Sequence, residues 1–253
     1  MTRTLLVIGA GAGIGGHVAK RFAGDGYHCV LVRRSDQAGL DRIVAEIEAG
    51  GGAATGVLLD AAKPDVIEEL VARVERDVGP IACALYNLGA QIGNRPLGAT
   101  TPKMFELGWR MGTFGLFRLA QALLPKMAER GEGTLLVTSA TSAVRGNAGQ
   151  HSHAAAMGGR RMLCQTLNAE FAPQGVHVAH IIIDGPVDAP DTLGRMLGER
   201  FNDYKRSRGP DGLLDPAAIA ETYHHIAHQP RSARSFELDL RPWTDVPWWN
   251  DNP

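Results

Sequence analysis

Cysteine is scarce in this chain: Cys29, Cys83 and Cys164 are the three in 253 residues, and none has metal-ligand spacing. That argues against a disulfide framework and for a reducing, cytoplasmic setting. An excess of charge of one sign is also lacking. With 26 Lys and Arg against 27 Asp and Glu, no net field draws the chain to nucleic acid or an anionic membrane. Long apolar runs are missing too. Arg3 precedes LLVI, but four residues before the glycines begin are too few for a signal core or a membrane span. There is no long repeat, low-complexity segment or internal linker. A single domain over 1–240 is expected, within the length range of large open α/β domains. The tail RPWTDVPWWNDNP, 241–253, carries three tryptophans and is too apolar to hang free. It is expected to pack on a neighbouring subunit or over the pocket.

What is present is alternation. Short apolar runs fall at 4–9, 28–33, 54–59, 83–87, 133–138 and 176–183, with a late edge strand at 235–240. Helical patterns occupy about 13–24, 36–49, 64–78, 102–130, 151–172 and 215–229. Strands apolar throughout, each followed by a helix, predict a parallel sheet covered on both faces. Right-handed crossovers then give a Rossmann-like, doubly wound α/β fold of about seven strands.

The first strand runs into Gly9-Ala-Gly-Ala-Gly13-Ile14-Gly15 and then a helix. A glycine turn between strand and helix lets backbone N–H groups approach a pyrophosphate, and the helix N-terminus adds favourable partial charge. The second strand ends in Arg33-Arg34. Arginine there accommodates the 2′-phosphate of NADP, so NADP(H) is expected over NAD(H) unless both are solvated surface residues.

Taken together these residues resemble the short-chain dehydrogenase/reductase superfamily over about residues 3–240. The spacing G-x-x-x-G-x-G is met by Gly9, Gly13 and Gly15. Asp60 ends the third strand where the family places an aspartate near the adenine. Asn87-Leu88-Gly89 is a variant of the family's N-A-G, GTLLVTSA matches its fifth strand, and IIIDGPVDAP, with Val187, occupies the place of the turn beside the nicotinamide. The resemblance implies an oxidoreductase using four residues: an asparagine, a serine, a tyrosine and a lysine. Aligned on Gly115 and on Glu170 at a helix end, those positions hold Gly112, Ala140, His153 and Met157.

Of these, only His153 can move a proton, and its ordinary pKa of about 6.5 suits a general acid. The alternative is a histidine that merely packs a helix start. Thr141 and Ser142, beside Ala140, are candidates for the substrate pocket. Asp184 is a candidate pocket carboxylate or, equally, a turn residue. Loops near 91–98, 141–150 and 186–210 are expected to shape the substrate end. No metal site is expected: His224 and His228 lie i,i+4 but lack further ligands, and read as a solvated helix face. Gly158 and Gly159 lie within a helix that, in the resembling family, helps form a dimer face, so a homodimer or homotetramer is expected. The functional expectation is an oxidoreductase on a small carbonyl or alcohol. The alternatives are a non-redox isomerase, lyase or cyclase using His153 or Asp184, and a non-catalytic cofactor-binding subunit.

Overall fold

A computed structural model of the chain describes residues 3–89 and 94–250. Seven strands form one sheet in the order β3-β2-β1-β4-β5-β6-β7. They are β1 (Thr4–Ile8), β2 (His28–Arg33), β3 (Ala53–Leu58), β4 (Ile81–Tyr86), β5 (Gly133–Ala140), β6 (Val176–Ile183) and β7 (Glu237–Leu240). Every pairing is parallel. The order reverses between β1 and β4, which opens a crevice at their carboxyl ends, the usual ligand position in such sheets.

The helices are α1 (Ile14–Ala23), α2 (Gln37–Ala49), α3 (Val66–Asp77), α4 (Pro102–Trp109), α5 (Gly115–Arg130), α6 (His151–Phe171), the single turn α7 (Arg195–Leu197), α8 (Phe201–Arg208) and α9 (Pro216–Ala227). Two cores result from the period-two alternation of the strands. Leu6 and Ile8 of β1 join α3, α5 and α6 on one face. Leu5 and Val7 join α1, α2 and α9 on the other. All four side chains are fully buried, each contributing about 1.5–3 kcal/mol of transfer free energy. An apolar run without alternation is therefore what this strand requires.

Two expectations are corrected. The helix read as continuous over 102–130 is split by a π-helical turn, Arg110–Phe114. There the Tyr86 hydroxyl donates to the Met111 carbonyl at 2.5 Å, and a Cβ on Gly115 would overlap that hydroxyl. A side chain inserted into the helical ladder widens it by one residue. Second, the face carrying His224 and His228 is only partly solvated: His228 is exposed and His224 half-buried. Their rings lie 4.1 Å apart and both pack on Phe22 of α1. His224 Nε2 is 2.5 Å from the Asp25 carboxylate, and His228 Nε2 is 3.1 Å from the Tyr27 hydroxyl. Among the described residues no cluster of three or more His, Cys, Asp or Glu has the arrangement of a metal site, and no helix is long and apolar enough to cross a membrane.

Candidate active site

The turn after β1 is shaped by backbone approach. Gly9 has φ +103°, and a Cβ there would stand 2.8 Å from the Asn87 carbonyl. A Cβ on Gly15 would overlap the Gly9 carbonyl oxygen. Only glycine fits either position without displacing backbone. Asn87, just past β4, fastens the turn by donating from Nδ2 to the Gly9 carbonyl at 2.9 Å. Around this turn lies a cavity of about 200 Å³ lined by Gly9, Gly11, Gly13, Ile14, Gly15, Asn87 and Val187, among others. The α1 N-terminus opens there without a side-chain cap, leaving its first N–H groups for a ligand.

A second cavity, about 410 Å³, shares Gly9 and continues over β2 and β3, with Arg34, Asp60, Leu88 and Met111 in its wall. A larger groove of about 580 Å³ runs along β3 and α3 and meets this cavity at Leu59 and Asp60. It contains no other candidate residue, and the glycine turn rather than cavity size marks the site.

The two arginines behave differently. Arg34 is exposed and faces the 410 Å³ cavity. Arg33 turns to Asp36, with Nη2 at 2.8 Å from Oδ2, while its buried Nη1 has no hydrogen-bond partner. Asp36 also caps α2 by accepting from Gly39 N at 2.9 Å. That backbone bond, with Arg33 and Arg195 nearby, holds its carboxyl below the usual range. A cavity walled by glycines beside an open helix N-terminus fits the pyrophosphate of a dinucleotide, and Arg33 lines neither cavity. Asp60 lines the same cavity and accepts from Ala62 N at 3.1 Å. Gly89 is exposed and lines neither cavity.

The expected substrate end gathers around the end of β5. The chain turns at Thr141–Ala143 as soon as the strand stops. Thr141 Oγ1 donates to Asp184 Oδ1 at 2.5 Å, and Ser142 Oγ to Gln150 Oε1 at 2.7 Å. Gln150 immediately precedes α6, whose first turn carries half-buried His153. Met157, 1% exposed, packs with Ala156, Ala140 and Ala143 as an apolar floor. Ser139 is buried, with Oγ 3.9 Å from the Met157 sulfur.

Asp184 is tied into the fold by contacts with its own chain. It is 9% exposed and lines neither cavity. Its Oδ1 is taken by Thr141, while Oδ2 lies 3.3 Å from Arg241 Nε and 3.4 Å from Trp248 N. The tail therefore folds back onto its own chain at the end of β6. There Arg241 stacks on Trp249 at 4.3 Å and Asp245 pairs with Arg208. Of the expected pocket loops, residues 91–93 lie outside the described residues, as do 251–253 of the tail. The segment 186–210 proves partly helical, as α7 and α8.

Sequence reasoning passed over Arg160. It is 1% exposed and donates to three backbone carbonyls, Gly112 at 2.7 Å, Thr138 at 2.5 Å and Leu88 at 2.7 Å. The only signal in the sequence was a charge three residues beyond Met157, on the same helical face.

With this geometry in place, a family model described as short chain dehydrogenase matches residues 3–193.

The chain belongs to the short-chain dehydrogenase family.

The short-chain reductase protein NovJ of Streptomyces niveus is 33% identical over 228 residues, covering 88% of this chain and 86% of that one. A 2-dehydro-3-deoxy-D-gluconate 5-dehydrogenase of Formosa agariphila is 29% identical over 208 residues, 81% of this chain and 77% of its own. Among solved structures, a short-chain dehydrogenase from Rhodopseudomonas palustris superposes with a TM-score of 0.80 at 32% identity, covering 95% of this chain and 99% of that one. A metagenomic short-chain oxidoreductase in complex with NADP shares the fold, with a TM-score of 0.78 at 21% identity over 95% of this chain and 97% of that one. The family is one of oxidoreductases with a nicotinamide-binding fold.

Proposed function

We propose that the protein is an NADP(H)-dependent oxidoreductase acting on a small carbonyl or alcohol, with His153 as the proton-transfer residue. The observation that carries this reading is the pair of cavities joined at Gly9, one walled by the glycine turn and the other rimmed by Arg34 and Asp60. Arg34, exposed at the rim of the 410 Å³ cavity, holds the 2′-phosphate. The α1 N-terminus and the turn take the pyrophosphate. Asn87 and Val187 border the inner end, where the bound dinucleotide supplies a hydride. Gly112, Ala140 and Met157 offer no group for proton transfer there, which leaves that role to His153 at the start of α6. The complex with NADP of a structurally similar protein supports the choice of cofactor at the level of fold.

The non-redox reading that uses Asp184 as base is disfavoured, because both its oxygens are already engaged. Single-domain organisation over 1–240 with a self-packed tail, and a homo-oligomer joined through the α5–α6 face, complete the proposal. The test is NADPH oxidation, followed at its nicotinamide absorbance against a broad panel of small carbonyls, in wild type and His153→Phe. Turnover in wild type and its loss in the variant are expected. Full turnover in His153→Phe refutes the proton-transfer assignment.

A further inference from the structure

Arg160 is among the largest fully buried side chains, and it is charged. Every hydrogen bond it makes goes to a main-chain oxygen. Among the described residues no carboxylate is paired with it. Its neighbours are the Tyr86 ring, with the guanidinium carbon 5.2 Å from the centroid, and further out Cys164 and Tyr223. Burial lowers its pKa, but a guanidinium starts so high that it stays protonated. Taking such a charge out of water without a counter-ion is expensive, and an apolar side chain of similar volume would fill the space at lower cost. Stability alone gives no reason for arginine here.

The three acceptors explain it. Leu88 lies between Asn87 and Gly89 after β4, and it also lines the 410 Å³ cavity. Gly112 sits in the π-helical turn between α4 and α5. Thr138 is near the end of β5, two residues before Ala140, with its hydroxyl receiving the Tyr223 O–H at 3.0 Å. These are three separate chain segments, each bearing a position of the candidate site, and no other described side chain bonds all three. Asn87 in turn grips the Gly9 carbonyl, so the segment held by Arg160 is the one that fixes the glycine turn. The planar fork of arginine suits three carbonyls in fixed directions; lysine, a compact point charge, does not.

We propose that Arg160 is a positioning residue: by clamping the Leu88, Gly112 and Thr138 carbonyls it sets the wall of the cleft beside the glycine turn. The proposal rests on the reading of the cleft as a nicotinamide dinucleotide site. It concerns backbone geometry, so cofactor affinity and local protection report on it without any turnover.

The experiment compares wild type, Arg160→Met and Arg160→Lys as full-length proteins. NADPH and the nicotinamide-free fragment 2′-phospho-ADP-ribose are titrated by calorimetry, and amide hydrogen exchange is mapped. Both variants should bind NADPH and the fragment at least about tenfold more weakly, because Leu88 lines the 410 Å³ cavity and its neighbour Asn87 fixes the glycine turn. Exchange should rise in segments 87–89, 110–114 and 138–142 and stay unchanged in β1 and β2. Affinity for both ligands within about twofold of wild type, or NADPH affinity retained in Arg160→Lys, overturns the proposal. If wild type binds neither ligand, the cofactor reading fails, and the exchange map alone decides the clamp: a local rise supports it, and no change or a global rise overturns it. If Arg160→Met does not fold, Arg160→Lys carries the comparison. If neither folds, the residue is structural only and the proposal is wrong.

Discussion

His180 gives the most quantitative handle on the fold. Its side chain is fully buried on β6, with Nδ1 3.0 Å from Glu237 Oε2 on β7. Glu237 is held at the same time by Arg161, whose Nε and Nη2 donate at 2.7 and 2.8 Å. Burial outweighs the nearby carboxylate and pushes the imidazole down to about 4. In the unfolded chain it titrates near its ordinary value of about 6.5. Between those values the unfolded state takes up a proton that the folded state refuses, so stability falls with acidification by about 1.4 kcal/mol per pH unit. Over the whole window the loss is on the order of 3 kcal/mol; it is absent above about pH 6.5 and complete near pH 4. Arg161 holds the Glu237 carboxyl below its usual range, so its protonation also destabilises, but at lower pH. Replacing His180 with Leu removes the imidazole while leaving both Arg161 bonds. Urea unfolding from pH 4.5 to 7.5 should show a shallower pH slope for the variant, by about 1 kcal/mol or more per unit, with m-values unchanged. Parallel slopes for the two proteins would refute the assignment of a neutral buried imidazole.

Three further perturbations test the site. Gly15→Ala places a methyl against the Gly9 carbonyl and should cost about 1–3 kcal/mol of stability and abolish dinucleotide binding, as read by thermal unfolding with and without NADP. Arg34→Ala should weaken NADP(H) by about 10- to 100-fold, the worth of a charge-assisted contact, and leave NAD(H) unaffected. Arg33→Ala should have the smaller effect, because Arg33 is already paired with Asp36. Thr141→Val removes the donor to Asp184 Oδ1 and should cost about 1–3 kcal/mol through the unsatisfied carboxylate, seen as a lower urea midpoint and altered Trp248 fluorescence.

The strands were legible because a two-sided parallel sheet demands uninterrupted apolar runs, and HCVLVR and VHVAHIII coincide with β2 and β6. The glycine turn was equally plain, since close backbone approach leaves glycine as the residue that fits. The π-helical turn was not. Nothing in RMGTF announces it, because its cause is a hydroxyl arriving from Tyr86, distant in sequence. Arg160 was hidden for a related reason: main-chain carbonyls carry no residue-type signal, and the pair Arg160-Arg161 reads as surface charge. The partners of His224 and His228, namely Phe22, Asp25 and Tyr27, were hidden because they come from the far end of the chain. The contacts of Asp184 with Arg241 and Trp248 were hidden likewise, because the tail that supplies them lies far along the chain.

The central claim is that the joined cavities at Gly9 form an NADP(H) site. Calorimetric titration of the wild-type protein with NADPH and with NADH tests it most directly. Saturable binding of NADPH at least about tenfold tighter than NADH is the result expected from Arg34 at the rim of the cavity. Equal affinities, or no binding of either nucleotide, would contradict it.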